Sequence, residues 1–284
     1  MTFLAKVVFV SGAVLACAAS GAEIGLQGDP ALLALVDREY ESLADFSERL
    51  SELESVLSER NDARAVFAAM YVVLTDNATI LIDAGHFDDG QWVAAFMVAF
   101  GNLYRQAFLD YESGNLDKVP ATWRVTFDAA IENNSSVFQH ALMGIHSHIN
   151  RDMAYALAAV TPVNERAGRF ADFVRTNDFI VASIDPVENA VAQFDSALGM
   201  LDAQLGGIDE RLLEKTLTQW RFRAWRLAAT IDLTGNTQSG QFFSAYLDHI
   251  AEKRAVRIRD ARPLYELGNN SPKASLAVVR RWCW

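Results

Sequence analysis

The chain has 284 residues, 51% of them hydrophobic, and only two cysteines. That is enough apolar chain to bury a sizeable core without a disulfide framework. Its 36 acidic residues against 25 basic ones leave a formal charge of −11, and without Lys and Arg clustered on one face this excludes DNA and RNA as partners.

Met1–Ala16 carries one positive charge, Lys6, followed by the apolar run Val7–Ala16, broken only by Ser11 and Gly12. This is the anatomy of an export signal, and the run falls short of the roughly 20 residues that span a bilayer. Two cleavage sites fit. Val14-Leu15-Ala16-Cys17 resembles a lipobox and would leave a lipid anchor at Cys17 as the chain's one attachment to a membrane. Ser20-Gly21-Ala22 would instead release a soluble chain beginning near Glu23. Either way residues 1–22 are expected to be signal. The mature protein then lies in the periplasm or cell envelope, where Cys283 is left as an inert thiol.

From there on, apolar residues recur at spacings of three and four and no stretch alternates as a strand does, which predicts an all-α bundle of about eight helices in one domain, 23–284. Asp29-Pro30 is a helix start, and Val36, Tyr40, Leu43, Phe46, Leu50, Leu53 and Leu57 continue one face as a single long helix. A second helix runs from Asp62 to Asp83 and stops at Gly85. A third opens at Asp88-Asp89, carries Trp92, Phe96, Phe100 and Leu103, and closes at Gly114. Pro120 opens a shorter helix with Trp123 and Phe127. Asn134-Ser135 caps the next, which continues to Val160 ahead of Pro162. Helices over 164–183 and on to Leu205 flank Asp185-Pro186, Gly206-Gly207 breaks the chain, and two more follow, through Trp220–Ile231 and Gln241–Arg259. The tail from 263 reads as irregular, and the basic stretches at Lys253–Arg262 and Arg280–Arg281 read as solvated surface.

The segment that carries chemistry is the helix over 134–160. Phe138, Leu142, Ile145, Ile149, Met153 and Ala156 form its apolar stripe. At 3.6 residues per turn Asp152 falls roughly 60° to one side of that stripe and His148 roughly 100°, with Gln139, His146 and Asn150 on the other side and His140 facing outward. His148 and Asp152, four apart, are neighbours on one surface. Three readings stand for them: ligands of a divalent metal, zinc first; a buried His–Asp hydrogen bond that positions helices; or a metal-free catalytic or ligand-binding pair. Gly144 admits a close neighbour. Elsewhere Asn177 interrupts an apolar stripe and Arg223 borders another, so each needs a polar partner and joins Gln139 and Asn150 as a candidate for contacting a small-molecule or lipid-like ligand. No nucleophile elbow, phosphate-binding glycine loop or paired-cysteine zinc site is present.

Phe67-x3-Tyr71-x3-Thr75, Trp92 through Phe100 and Tyr104, Trp123-x3-Phe127, Gly144-Ile145-x-x-His148-Ile149-Asn150-x-Asp152 and Arg223-Ala224-Trp225 together resemble the bacterial family called domain of unknown function 5995, over about residues 62–230. The resemblance implies a helical fold and a site near the Gly-x3-His-Ile-Asn-x-Asp run, but no reaction. His146 departs from that family, where asparagine is more frequent, and is not expected to be an essential ligand. A more distant similarity is to zinc-dependent phospholipase C and the S1/P1 nucleases, exported helical enzymes with a His-x-x-x-Asp helix after a small residue. Their second pair, His-x-x-x-Glu, and the histidine soon after the aspartate are missing here, where Met153-Ala154-Tyr155 stands, which counts against a trinuclear zinc site. The function expected is therefore an exported helical bundle with a polar pocket on 134–160. It would act either as a metal-dependent hydrolase or as a non-catalytic envelope binding or scaffold protein.

Overall fold

The computed structural model describes residues 28–195 and 208–261. The expected signal segment with Cys17, the Gly206-Gly207 break and the tail from 263 with Cys283 lie outside the described residues. In chain order the helices are α1 (Pro30–Val36), α2 (Leu43–Glu59), α3 (Ala65–Asp83), α4 (Gly90–Glu112), α5 (Ala121–Glu132), α6 (Val137–Ser147), α7 (Met153–Val160), α8 (Arg166–Ala182), α9 (Ile184–Ala192), α10 (Ile208–Thr234) and α11 (Gln238–Arg259). No strand occurs among the described residues, so the protein is all-α. A contiguous core draws side chains from α1 to α5, α7, α8, α10 and α11.

Where the sequence expects one helix from Pro30 to Leu57, the structure breaks it after Val36. The cause lies beyond the break itself. Arg49 of α2 donates to the carbonyls of Leu35, Arg38 and Glu39, and Arg105 of α4 donates to Val36 O. These two guanidinium groups take over the carbonyls that a continuing helix would use. Asn102 pairs with both backbone groups of Tyr40, and Ser42 then caps α2 through the Asp45 N–H. Tyr40 stays 2% exposed across the break, which is why the apolar spacing looks uninterrupted.

α3 and α4 form the aromatic centre. On α4 the rings of Trp92, Phe96 and Phe100, each four residues apart, stack at 6.0 and 5.6 Å. Phe67 and Tyr71 of α3 meet Tyr104 and Trp123 from the other side. A Cβ on Gly144 would lie 2.4 Å from the Phe67 ring. The close neighbour that this glycine admits is therefore a core phenylalanine of α3.

The helix expected over 134–160 is interrupted as well. Ser136 is the cap, with Gln139 completing a reciprocal capping box. After Ser147 the backbone widens into one π-helical turn, His148–Asp152, in which the Met153 N–H bonds to His148 O. α7 then resumes the α-helical ladder.

Candidate functional site

The π turn sits in the middle of the bundle against α4, α10 and α11, and three of its five residues, His148, Asn150 and Asp152, are buried. This corrects the angular reading, which put those groups at the borders of a buried stripe. The wider turn contains one residue more than the 3.6-residue period allows for, and α6 is enclosed on several sides rather than one. His140, expected to face outward, is 4% exposed. Burial holds its imidazole below the ordinary value, against the pull of the Ser135 backbone.

His148 and Asp152 face each other, not a common point in space. His148 Nδ1 lies 3.1 Å from Asp152 Oδ2, which also accepts Trp123 Nε1 at 2.6 Å, while Asp152 Oδ1 accepts Arg151 Nη1 at 2.7 Å. Burial pushes the Asp152 carboxyl up, but the bonds from His148 and Arg151 outweigh it and hold the group below the usual carboxylate range. Burial likewise takes His148 below the ordinary imidazole value, against the pull of Asp152. A neutral imidazole bonded to a carboxylate through Nδ1 carries its proton there, so Nε2 is left with a lone pair. That atom is buried and has no partner. The ring is fixed from one face by Phe100, stacked at 3.5 Å and 7°, and at its edge by Tyr71 at 4.7 Å. His148 is thus the last step of the α4 ring ladder.

The His148 ring borders a partly enclosed cavity of about 110 Å³ between α3, α4, α6, α8 and α9, with Phe100, Ile149, Phe179 and Val187 among its mostly apolar walls. The polar members of the wall are few: His148, the Tyr71 hydroxyl, which is buried without a partner, Ser183, Glu188 and Arg221. Arg221 is 3% exposed, and its burial lowers the guanidinium pKa to about 9. It donates through Nε to Asn177 Oδ1 at 2.9 Å, through Nη2 to Phe173 O at 3.4 Å and to Thr176 Oγ1.

The remaining sequence candidates are scattered. Asn177 serves Arg221 and does not enter the cavity. Gln139 donates through Nε2 to the carbonyls of Ile258, Arg259 and Ala261, closing the end of α11. Asn150 donates to His146 Nδ1 at 3.1 Å, while His146 Nε2 bonds to Ala251 O at 3.0 Å. Both residues therefore tie the π turn to α11. Arg223 lines a different cleft, with Arg254, so the stretch 253–262 is not wholly solvated surface. Arg221 was missed, although Leu217, Arg221, Ala224 and Ala228 keep the spacing of a buried face and a charge at such a position was the signal. Among the described residues no group of three or more His, Cys, Asp or Glu side chains is placed to hold a metal ion.

The sequence profile described as "Family of unknown function (DUF5995)" matches residues 43–261. The chain belongs to that family. The DUF5995 match starts with α2 and runs to the end of the described residues, taking in the π turn and both walls of the cavity. No curated protein and no solved structure matches the chain. The distant similarity to zinc-dependent phospholipase C and the S1/P1 nucleases therefore finds no support.

Proposed function

We propose that this DUF5995 protein binds a small, mainly apolar molecule carrying one hydrogen-bond donor, with His148 Nε2 as the acceptor. The observation that carries the reading is a buried imidazole nitrogen without a partner, on a ring that borders an apolar cavity. Its ring is locked by Asp152 on one side and Phe100 on the other. An unsatisfied buried acceptor costs stability, and a ligand donor would relieve that cost. The cavity is of the scale that accepts a single ring. The same pair supports a second reading as a metal-free catalyst, in which Nε2 takes a proton from a bound hydroxyl or water and Asp152 steadies the imidazolium. A metal-assisted hydrolysis would need ligands beyond Nε2, because Asp152 is already engaged by three donors.

Phenol and benzene, titrated calorimetrically, test the proposal as ligands of the same size with and without the donor. Phenol is expected to bind about tenfold more tightly, the worth of one hydrogen bond. The advantage should vanish in His148→Phe, which keeps the stacked ring and removes the acceptor. Equal affinity for the two probes in the wild-type protein sinks the reading.

Export belongs to the same reading and rests on Lys6 and the run Val7–Ala16. The mature chain is expected to start at Cys17, with a lipid modification, or near Glu23. Intact-mass measurement on protein from its native host decides it, and a product that keeps Met1 refutes export.

A further inference from the structure

A second cleft, of about 590 Å³, opens where α10 meets α8 and α11, away from His148. Phe170, Trp220, Phe222 and Trp225 line it together with three arginines, Arg223, Arg226 and Arg254. In a chain with 36 acidic residues, these three cations stand out. Arg64 pairs with Asp62 and Glu112, Arg151 with Asp152 and Asp248, Arg169 with Asp89, and Arg175 with Asp88 and Asp172. Arg105, Arg166 and Arg221 have no acid either but are bonded to carbonyls or polar side chains, whereas neither a carboxylate nor any other acceptor among the described residues is bonded to Arg223, Arg226 or Arg254. Arg254 is half-buried; burial, then the nearby Arg223 and Arg257, hold its pKa down. Like charges gathered at an aromatic wall without an acid to balance them are costly in the empty protein, and an anion would reverse that cost. Guanidinium groups beside indole and phenyl rings also suit a flat partner, because they bond in-plane to oxyanions and stack on rings.

We propose that this cleft is a binding site for a planar aromatic anion, whose ring packs against Trp220, Phe222 and Trp225 and whose carboxylate or phosphate is held by Arg223, Arg226 and Arg254. The floor is preorganised. Trp220 is 7% exposed and meets His146 edge-on at 5.6 Å, and His146 is bonded to α11 through Ala251. Trp225 is stacked on Phe173 at 4.5 Å, with Arg166 over its ring at 4.1 Å. A ligand of the class proposed therefore meets walls that need no reordering, and its charge replaces repulsion with pairing.

Calorimetric titration of the full chain with 1-naphthyl phosphate, 1-naphthol and inorganic phosphate separates ring from charge. The phosphate ester is expected to bind at least tenfold more tightly than either part alone, and more weakly as salt rises. Arg223→Gln and Arg254→Gln should each weaken it tenfold or more. Arg254→Gln should at the same time raise the melting temperature of the free protein, an effect a merely structural arginine would not have. Arg38→Gln, on the exposed Arg38–Asp45 pair, should leave the affinity for the ester unchanged. Naphthol binding as tightly as the ester, affinity insensitive to salt, or a folded Arg223→Gln protein with wild-type affinity would each overturn the site.

Discussion

Asp152→Ala is expected to cost about 3–5 kcal/mol of stability, more than any other single change at the π turn, because it strands a buried donor on each of three side chains. Trp123 Nε1, His148 Nδ1 and Arg151 all point at a carboxylate that is 0% exposed. Arg151 keeps Asp248 as a second partner, but the indole and the imidazole have no alternative among the described residues. His148→Phe removes one of the three donors and replaces it with a ring of similar size, so it should cost much less. In a double-mutant cycle the two changes should be clearly non-additive, since the His148–Asp152 bond is counted in both. Urea unfolding followed by circular dichroism measures this. A loss below about 1 kcal/mol for Asp152→Ala would mean that the three donors find water or other partners, and that the carboxylate does not anchor the turn.

Lowering the pH from about 6.5 to about 4 is expected to destabilise the protein through its buried histidines. Burial, with Arg254 and Arg223 nearby, depresses the His146 pKa to about 4, and burial moves those of His140 and His148 in the same direction. The unfolded chain takes up these protons near the ordinary histidine value while the folded chain refuses them. Stability from His146 is thus complete above about 6.5 and is lost as the pH falls towards 4. At roughly 1.4 kcal/mol per pH unit, His146 alone accounts for on the order of 3 kcal/mol. Asp152, whose pKa is lowered, keeps its contribution through that window and loses it only at lower pH. Urea midpoints measured at intervals across the window should fall steadily with acid, and less steeply in His146→Gln. A midpoint that stays level from neutral pH to about 4.5 would contradict the burial of three neutral imidazoles.

Much of the bundle was legible because local signals and global packing agree along most of the chain. Asp89 caps α4, and Gly85 and Gly114 take the positive φ of 71° and 73° that ends a helix, as the sequence suggests. Most of the differences share one physical origin, a side chain supplied by another element. The break after Val36 is made by Arg49, Arg105 and Asn102. Gln139 reads as a flanking polar residue and is instead the cap of a helix more than a hundred residues later. His148 and Asp152 were legible as a pair, but their burial was not, because it depends on the π turn and on α4, α10 and α11 closing over it. Arg221 is a different case, since Leu217, Ala224 and Ala228 mark its position as buried and only its own charge argues against it.

The π turn acts like a stacking fault in a crystal. Above and below it the helical lattice is ordinary, yet the two halves are out of phase by one residue, a rotation of about 100°. One continuous rod thereby presents two differently aimed faces: α6 to α3, α5 and α11, and α7 to α4 and α10. The fault itself, where neither face is in register, is where the polar groups can turn inward. A one-residue deletion between His148 and Asp152 would heal the lattice and put one of the two halves on the wrong neighbours, so the surplus residue is what lets a single helix serve both walls of the core.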